Sequence, residues 1–218
     1  MYSLSFRKLE LPPHFNLNII SQVEILTLQT KIFKMVFELI KKRRSVFPAQ
    51  YTNQPLKRSE IEKILEAANW APTHKKTEPW RFKIFLEDSK EQLGQFLAKK
   101  YEETEANPKA FKVKKLLENP SRSAAVIAIC MQRDPNESLP EWEEIAATAM
   151  AVQNMWLCCT EMEIGCYWSS PGLIKYMGEF IELGDGEQCL GFLFMGRYEE
   201  EISVGERKPI EDKVVWFN

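Results

Sequence analysis

The spacing of apolar and polar positions divides most of the chain into short elements. Val36, Phe37, Leu39 and Ile40 make a helical stripe closed by basic residues, which suit a helix C-terminus. Ser59-Glu60-Ile61-Glu62 has the capping-box pattern, and Ile61, Ile64, Leu65 and Ala68 follow at helical spacing. That helix is expected to stop before Pro72. Arg81 to Leu86 alternates and predicts a strand. Asp88 is expected to cap a helix running toward Tyr101, within a sequence that becomes charged and lysine-rich over 99–118. Ala124 to Cys130, an unbroken apolar run, predicts a buried strand.

Pro140 opens the longest expected helix, Glu141 to Glu163, with Gly165 in the position of a C-cap glycine. Short strands are expected at Cys166–Trp168 and Cys189–Met195, with a small helix near 171–181 between them. Lys213 to Phe217 reads as a strand-like tail. Helices and strands interleave without a repeat or linker, which predicts one α+β domain with a central sheet and a long buried helix. Residues 1–34 stand apart, because Pro12-Pro13 breaks the chain before a weakly amphipathic apolar stretch. The domain is expected to span 35–218, with 1–34 either a helix packed on it or an appendage.

Composition narrows the function classes. The chain has 218 residues, 44% hydrophobic and 28% charged, enough for one full core. Its formal net charge is −2 with cations scattered among acids. The concentrated positive stripe that nucleic-acid binding needs is therefore not expected. The most apolar N-terminal part, Leu17 to Phe37, is interrupted by Gln22, Glu24, Gln29, Lys31 and Lys34, so neither a signal peptide nor a membrane span is expected. Cysteines at 130, 158, 159, 166 and 189 form no C-x-x-C pair, and His14 and His74 are the only histidines. That inventory speaks against a zinc site and for free structural thiols in a reducing, cytoplasmic setting.

Four segments carry candidate chemistry. Arg43-Arg44-Ser45 offers two guanidinium forks and a hydroxyl, suited to a phosphate and a polyol, although such a pair is commonly just a solvated helix end. Ala71-Pro72-Thr73-His74-Lys75, followed by Glu78-Pro79-Trp80-Arg81-Phe82, is a loop stiffened by two prolines that leads into a strand and presents His74. Gly165-Cys166-Tyr167-Trp168-Ser169-Ser170-Pro171-Gly172 puts an aromatic and small polar residues at a strand end, where backbone can approach a flat ring. Arg207-Lys208-Pro209 adds a basic doublet before the tail.

Taken together and in this order, these segments resemble the FMN-dependent nitroreductase family, most closely its smallest members with an Ala-Pro-x-His-Lys loop. The resemblance runs from about Met35 to Phe217 and includes the Pro-Glu-Trp-Glu-Glu start of the long helix. It implies a three-layer α+β fold, a central mostly antiparallel sheet flanked by helices, in an intertwined homodimer. It also implies FMN as cofactor, NADH or NADPH as electron donor, and a nitroaromatic, quinone or related small molecule as acceptor.

In that pattern Arg43 and Ser45 hold the FMN phosphate and ribityl chain, and Arg44 lies near the pyrimidine end. Arg207 or Lys208 completes the phosphate site, while Trp168, Ser169 and Ser170 line the isoalloxazine. Trp70 and His74 reach the flavin from the partner subunit. The flavin carries the reaction, so no side chain is expected to act as nucleophile or essential acid, and no metal is expected. The chain departs from the pattern at Lys76, Glu78, Trp70 and Ser169, changes that bear on acceptor choice. A specialised flavin chemistry such as dehalogenation, and a flavin-binding protein without fast turnover, are the alternatives that the same resemblance leaves open.

Overall fold

A computed structural model describes residues 34–203 and 205–217. The chain divides into two compact units, Met1–Glu38 and Leu39–Asn218. Of the first, residues 34–38 are helical and exposed; the rest of the expected extension, including Pro12-Pro13 and His14, lies outside the described residues.

The second unit is organised by an antiparallel sheet. Its strands are β1 (Trp80–Phe85), β2 (Ala125–Gln132), β3 (Ile164–Ser169) and β4 (Glu187–Arg197), in the order β1-β2-β4-β3. The helices are α1 (Arg58–Asn69), α2 (Asp88–Thr104), α3 (Ala110–Arg122) and α4 (Glu141–Glu161). Ala125, Ile127 and Ile129 of β2 point to one face, with Ile61 and Ile64 of α1 and Ala151, Val152 and Met155 of α4. Val126, Ala128 and Cys130 point to the other, with Leu93 and Leu97 of α2 and Leu116 of α3. Helices thus cover both faces, giving the three layers that the family resemblance implied. A strand buried on both sides reads as a continuous apolar run, which is why β2 is legible in sequence.

Several local expectations are corrected. Helix α1 begins at Arg58, and its N-cap is Lys57, not Ser59. The Lys57 N–H donates to Glu60 Oε2 at 2.8 Å, so Glu60 does the work expected of Glu62. That bond, reinforced by Arg197, holds the Glu60 carboxyl below its usual range. Helix α4 ends at Glu161, and the left-handed residue that turns the chain is Glu163 (φ 55°) rather than Gly165. Gly165 lies within β3, where an added Cβ would stand 2.9 Å from Val46 Cβ. The lysine-rich stretch 99–118 contains the end of α2 and most of a separate helix, α3, whose Val113, Leu116 and Leu117 keep helical spacing among the charges. Past the short 3-10 turn Glu211–Lys213, residues 214–217 join no strand among the described residues.

The β2–β4 ladder shifts register between Ile129 and Cys130, so Ile129 opposes Gly191 while Cys130 opposes Cys189. Leu190 is the extra residue of the resulting bulge. Gly191 has φ +149°, and a Cβ there would lie 2.3 Å from Trp168 Nε1 and 2.6 Å from Ser169 O. The bulge and the missing side chain together make the place where the Trp168 indole lies against β4. Gly191→Ala is expected to lower stability by more than about 2 kcal/mol through overpacking and backbone strain. Urea unfolding of both proteins checks this, with near-ultraviolet circular dichroism reporting displacement of the indole.

Candidate functional site

Residues 39–42 are helical, and the segment after residue 42 leaves that helix and runs beside the outer strand. The Val46 N–H donates to Cys166 O at 3.1 Å, docking Arg43-Arg44-Ser45 against the edge of β3. Tyr51 pins the next turn, its hydroxyl within hydrogen-bond distance of Val46 O (2.8 Å) and Phe194 O (3.0 Å). Gly196 leaves room for that ring, since a Cβ there would meet Tyr51 Cγ at 2.5 Å.

Trp156, on α4, is the support that sequence reasoning missed. Its Nε1–H donates to Arg44 O at 3.0 Å, and the Arg43 guanidinium lies 4.7 Å from its ring centroid. The indole thus fixes the backbone of one arginine and the cation of the other. Arg44 turns inward: its guanidinium donates to the carbonyls of Lys41, Arg43 and Ser203. Gly205 permits this, because a Cβ at that position would stand 2.7 Å from Arg44 Nε. The carbonyl-rich surroundings hold Arg44 in place, while the Arg43 guanidinium makes no hydrogen bond or ion pair among the described residues.

Arg207 joins the group from the C-terminal segment. Burial, then the cationic charge of Arg207, then that of Arg44, pulls the Arg43 guanidinium below its ordinary value, with Cys166 opposing. Three guanidinium groups gathered without an ion-pair partner among the described residues make a site suited to an anion. Lys208 lies next in sequence, and its carbonyl accepts from Lys213 Nζ at 3.1 Å.

The expected ring-lining residues divide. Strand alternation sends Trp168 to the face that holds Trp156, while Ser169 lines the opposite face with Phe192 and Phe194. The Trp168 and Ser169 side chains therefore do not converge, and what they share is the backbone at the end of β3. Ser170 follows the strand and is exposed.

Trp70 and His74 form a separate group. Trp70 caps α1 and is 78% exposed, its Nε1–H donating to Glu66 Oε1 at 2.9 Å. His74 Nδ1 lies 2.7 Å from Glu143 Oε2 at the start of α4, beside an open cleft lined by Pro72, Trp142 and Met150. Along α4, Glu143 and Trp156 are thirteen residues apart, on the order of 20 Å at 1.5 Å per residue. One chain therefore holds His74 and Arg43 at well-separated levels of the same helix. The loop itself is tightly bent: Lys75, Lys76 and Glu78 have φ of 49°, 57° and 42°. The Glu78 N–H donates to Thr73 Oγ1 (3.1 Å) and Lys75 Nζ to Ser138 O (2.8 Å), bonds that hold this shape.

The five cysteines are free thiols, four of them buried and Cys158 partly so. Burial pushes Cys158 and Cys166 up, away from the thiolate form. A hydrogen bond between the Cys130 and Cys189 thiols raises the first and lowers the second. Among the described residues no helix is long and apolar enough to cross a membrane, and no cluster of three potential metal ligands occurs.

A sequence model described as the nitroreductase family matches residues 40–197. A curated protein of Bacillus subtilis (strain 168), provisionally named as the NAD(P)H nitroreductase YfhC, is 28% identical over 179 residues, which are 81% of this chain and 91% of that protein. Among solved structures, a nitroreductase-like family protein from Bacillus cereus is similar with a TM-score of 0.72 and 29% identity, over 84% of this chain and 95% of that one. A nitroreductase with bound FMN from Bacteroides fragilis NCTC 9343 shares the fold, with a TM-score of 0.62 and 18% identity over 84% and 98% of the two chains.

Trp156→Phe keeps a ring beneath Arg43 but removes the bond to Arg44 O. It is expected to destabilise the chain by about 1 kcal/mol, the usual worth of one such bond. The urea midpoint should fall while the slope of the transition stays unchanged, since the surface exposed on unfolding is the same.

Proposed function

The chain belongs to the nitroreductase family, and from that membership we propose that it is an FMN-dependent NAD(P)H oxidoreductase of small-molecule acceptors. The observation that carries the reading is the meeting of Arg43, Arg44 and Arg207 beside Trp156, with no ion pair to any of the three among the described residues. FMN ends in a phosphate, and the unpaired guanidinium of Arg43 suits it. The residues present therefore fit the cofactor.

In this reading Arg43 and Ser45 hold the phosphate and ribityl chain, Arg207 and Lys208 close the phosphate site, and Arg44 contributes charge toward the pyrimidine end. Trp168 and the backbone of Ser169 and Ser170 line the isoalloxazine. FMN held there would supply two-electron redox chemistry between NADH or NADPH and a nitroaromatic, quinone or related acceptor. The chain's own residues bind, orient and tune; none of the cysteines or histidines is assigned a chemical step. The flavin-binding unit is assigned to residues 35–218, with 1–34 as an extension, and the protein to the cytoplasm.

A homodimer belongs to the same proposal. Trp70 and His74 are assigned to the partner's flavin, which agrees with their separation from the arginine group of their own chain. Trp216 and Phe217 are 83% and 93% exposed, and Trp142 is also bare. Surface of this kind is what a symmetric partner covers.

Purified protein is expected to be yellow and to release FMN, not FAD, when denatured; colourless protein that takes up no added FMN contradicts the assignment. Arg43→Ala removes a charge-assisted contact of about 1.5–3 kcal/mol and should raise the Kd for FMN at least tenfold, as read by flavin fluorescence.

Light scattering at micromolar concentration should give twice the chain mass. Removing residues 210–218 should shift the protein toward monomer. A monomer that retains flavin and His74-dependent binding would overturn the shared-site arrangement.

A further inference from the structure

The lysine-rich α3 helix has no part in the flavin reading, yet it closes a cavity. Lys112, Lys115, Leu116 and Asn119 fall at i, i+3, i+4 and i+7, so they share one stripe of the helix. That stripe faces the sheet across a cavity of about 170 Å³, whose apolar wall is Leu97, Leu116, Phe192 and Phe194. This is the sheet face opposite Trp156 and Trp168.

The volume sets a size. An apolar cavity of about 150 Å³ accommodates benzene, so this one suits a single six-membered ring. The rim sets a charge. Lys112 and Lys115 border the opening, and no aspartate or glutamate lines it. Lys112 Nζ lies 4.5 Å from the Tyr101 ring centroid, which restrains its side chain beside the opening. The Lys115 ammonium has no hydrogen bond or ion pair among the described residues, leaving its donors available. Asn119 and Ser169 add neutral hydrogen-bonding groups on the same lining.

We propose that this cavity is a second binding site, on the sheet face opposite Trp156 and Trp168 and meeting the flavin groove only at Ser169, for a single-ring aromatic carboxylate. The ring lies against Phe192 and Phe194, and the carboxylate is received by Lys115 and Lys112. The arrangement joins an apolar pocket to a few polar groups that fix orientation, the general character of small-molecule sites.

The test is a 19F NMR titration of 4-fluorobenzoate with the purified full-length protein, flavin included. Saturable binding of one probe per chain is expected. Lys115→Gln should weaken it about tenfold, the effect of losing a charge-assisted contact. Fluorobenzene, which has the ring without the charge, should bind less tightly and ignore that substitution. Leu116→Phe should fill the space and abolish binding, with an unchanged urea midpoint showing that the fold persists.

The proposal is overturned if 4-fluorobenzoate fails to saturate, which would make the cavity a packing gap beneath solvated lysines. It is equally overturned if binding is indifferent to both substitutions. Displacement of the probe by excess FMN would place the cavity in the cofactor groove and also defeat it. Protein that proved colourless would leave the titration as informative as before, so the two readings fail independently.

Discussion

Residues 125 to 131 of β2 are shut off from water on both sides, and this double burial governs the arrangement of the chain. One helical layer would leave every second residue of the run exposed. Helices α1 and α4 cover one face and α2 and α3 the other, so the chain passes from side to side between strands. Small residues on α4, Ala147 and Ala151 among them, let its backbone come close to the sheet. Its length then carries Glu143 at one end and Trp156 near the other, so a packing requirement also fixes the separation between His74 and the arginines.

The arginine group depends on this frame rather than on its own mutual attraction. Like charges repel, and partial burial adds a desolvation cost. What holds them is neutral: an indole beneath Arg43, carbonyls around Arg44, and a glycine at 205 that lets the second guanidinium approach. Preorganised positive charge of this kind binds an anion without rearrangement at the moment of binding.

Much of this was legible in the residues. An unbroken apolar run announced β2, and proline at 140 announced the start of α4. The family resemblance, drawn from short segments in order, led to the three layers and the arginine doublet. Features that depend on cross-strand neighbours were not legible. Gly165 in sequence sits where a helix cap belongs, and only Val46 packed against it reveals its role. Gly191 has no local signature, since its need comes from Trp168 on the adjoining strand. Trp156 is one apolar residue among many on a helix. The lysines of 99–118 obscured α3, because charge hid a spacing that Val113, Leu116 and Leu117 maintain.

The bent loop after Pro72 has a consequence for how the chain yields. Lys75, Lys76 and Glu78 occupy left-handed backbone that costs ordinary residues about 1–2 kcal/mol each. Bonds from the Glu78 N–H to Thr73 Oγ1 and from Lys75 Nζ to Ser138 O keep it in place, but opening the segment recovers that strain. Local opening there is therefore cheaper than opening the doubly covered strands. Two adjacent lysines occupy the strained stretch, so its opening offers a trypsin-like protease a scissile bond in the loop that carries His74, while the sheet behind it is still closed.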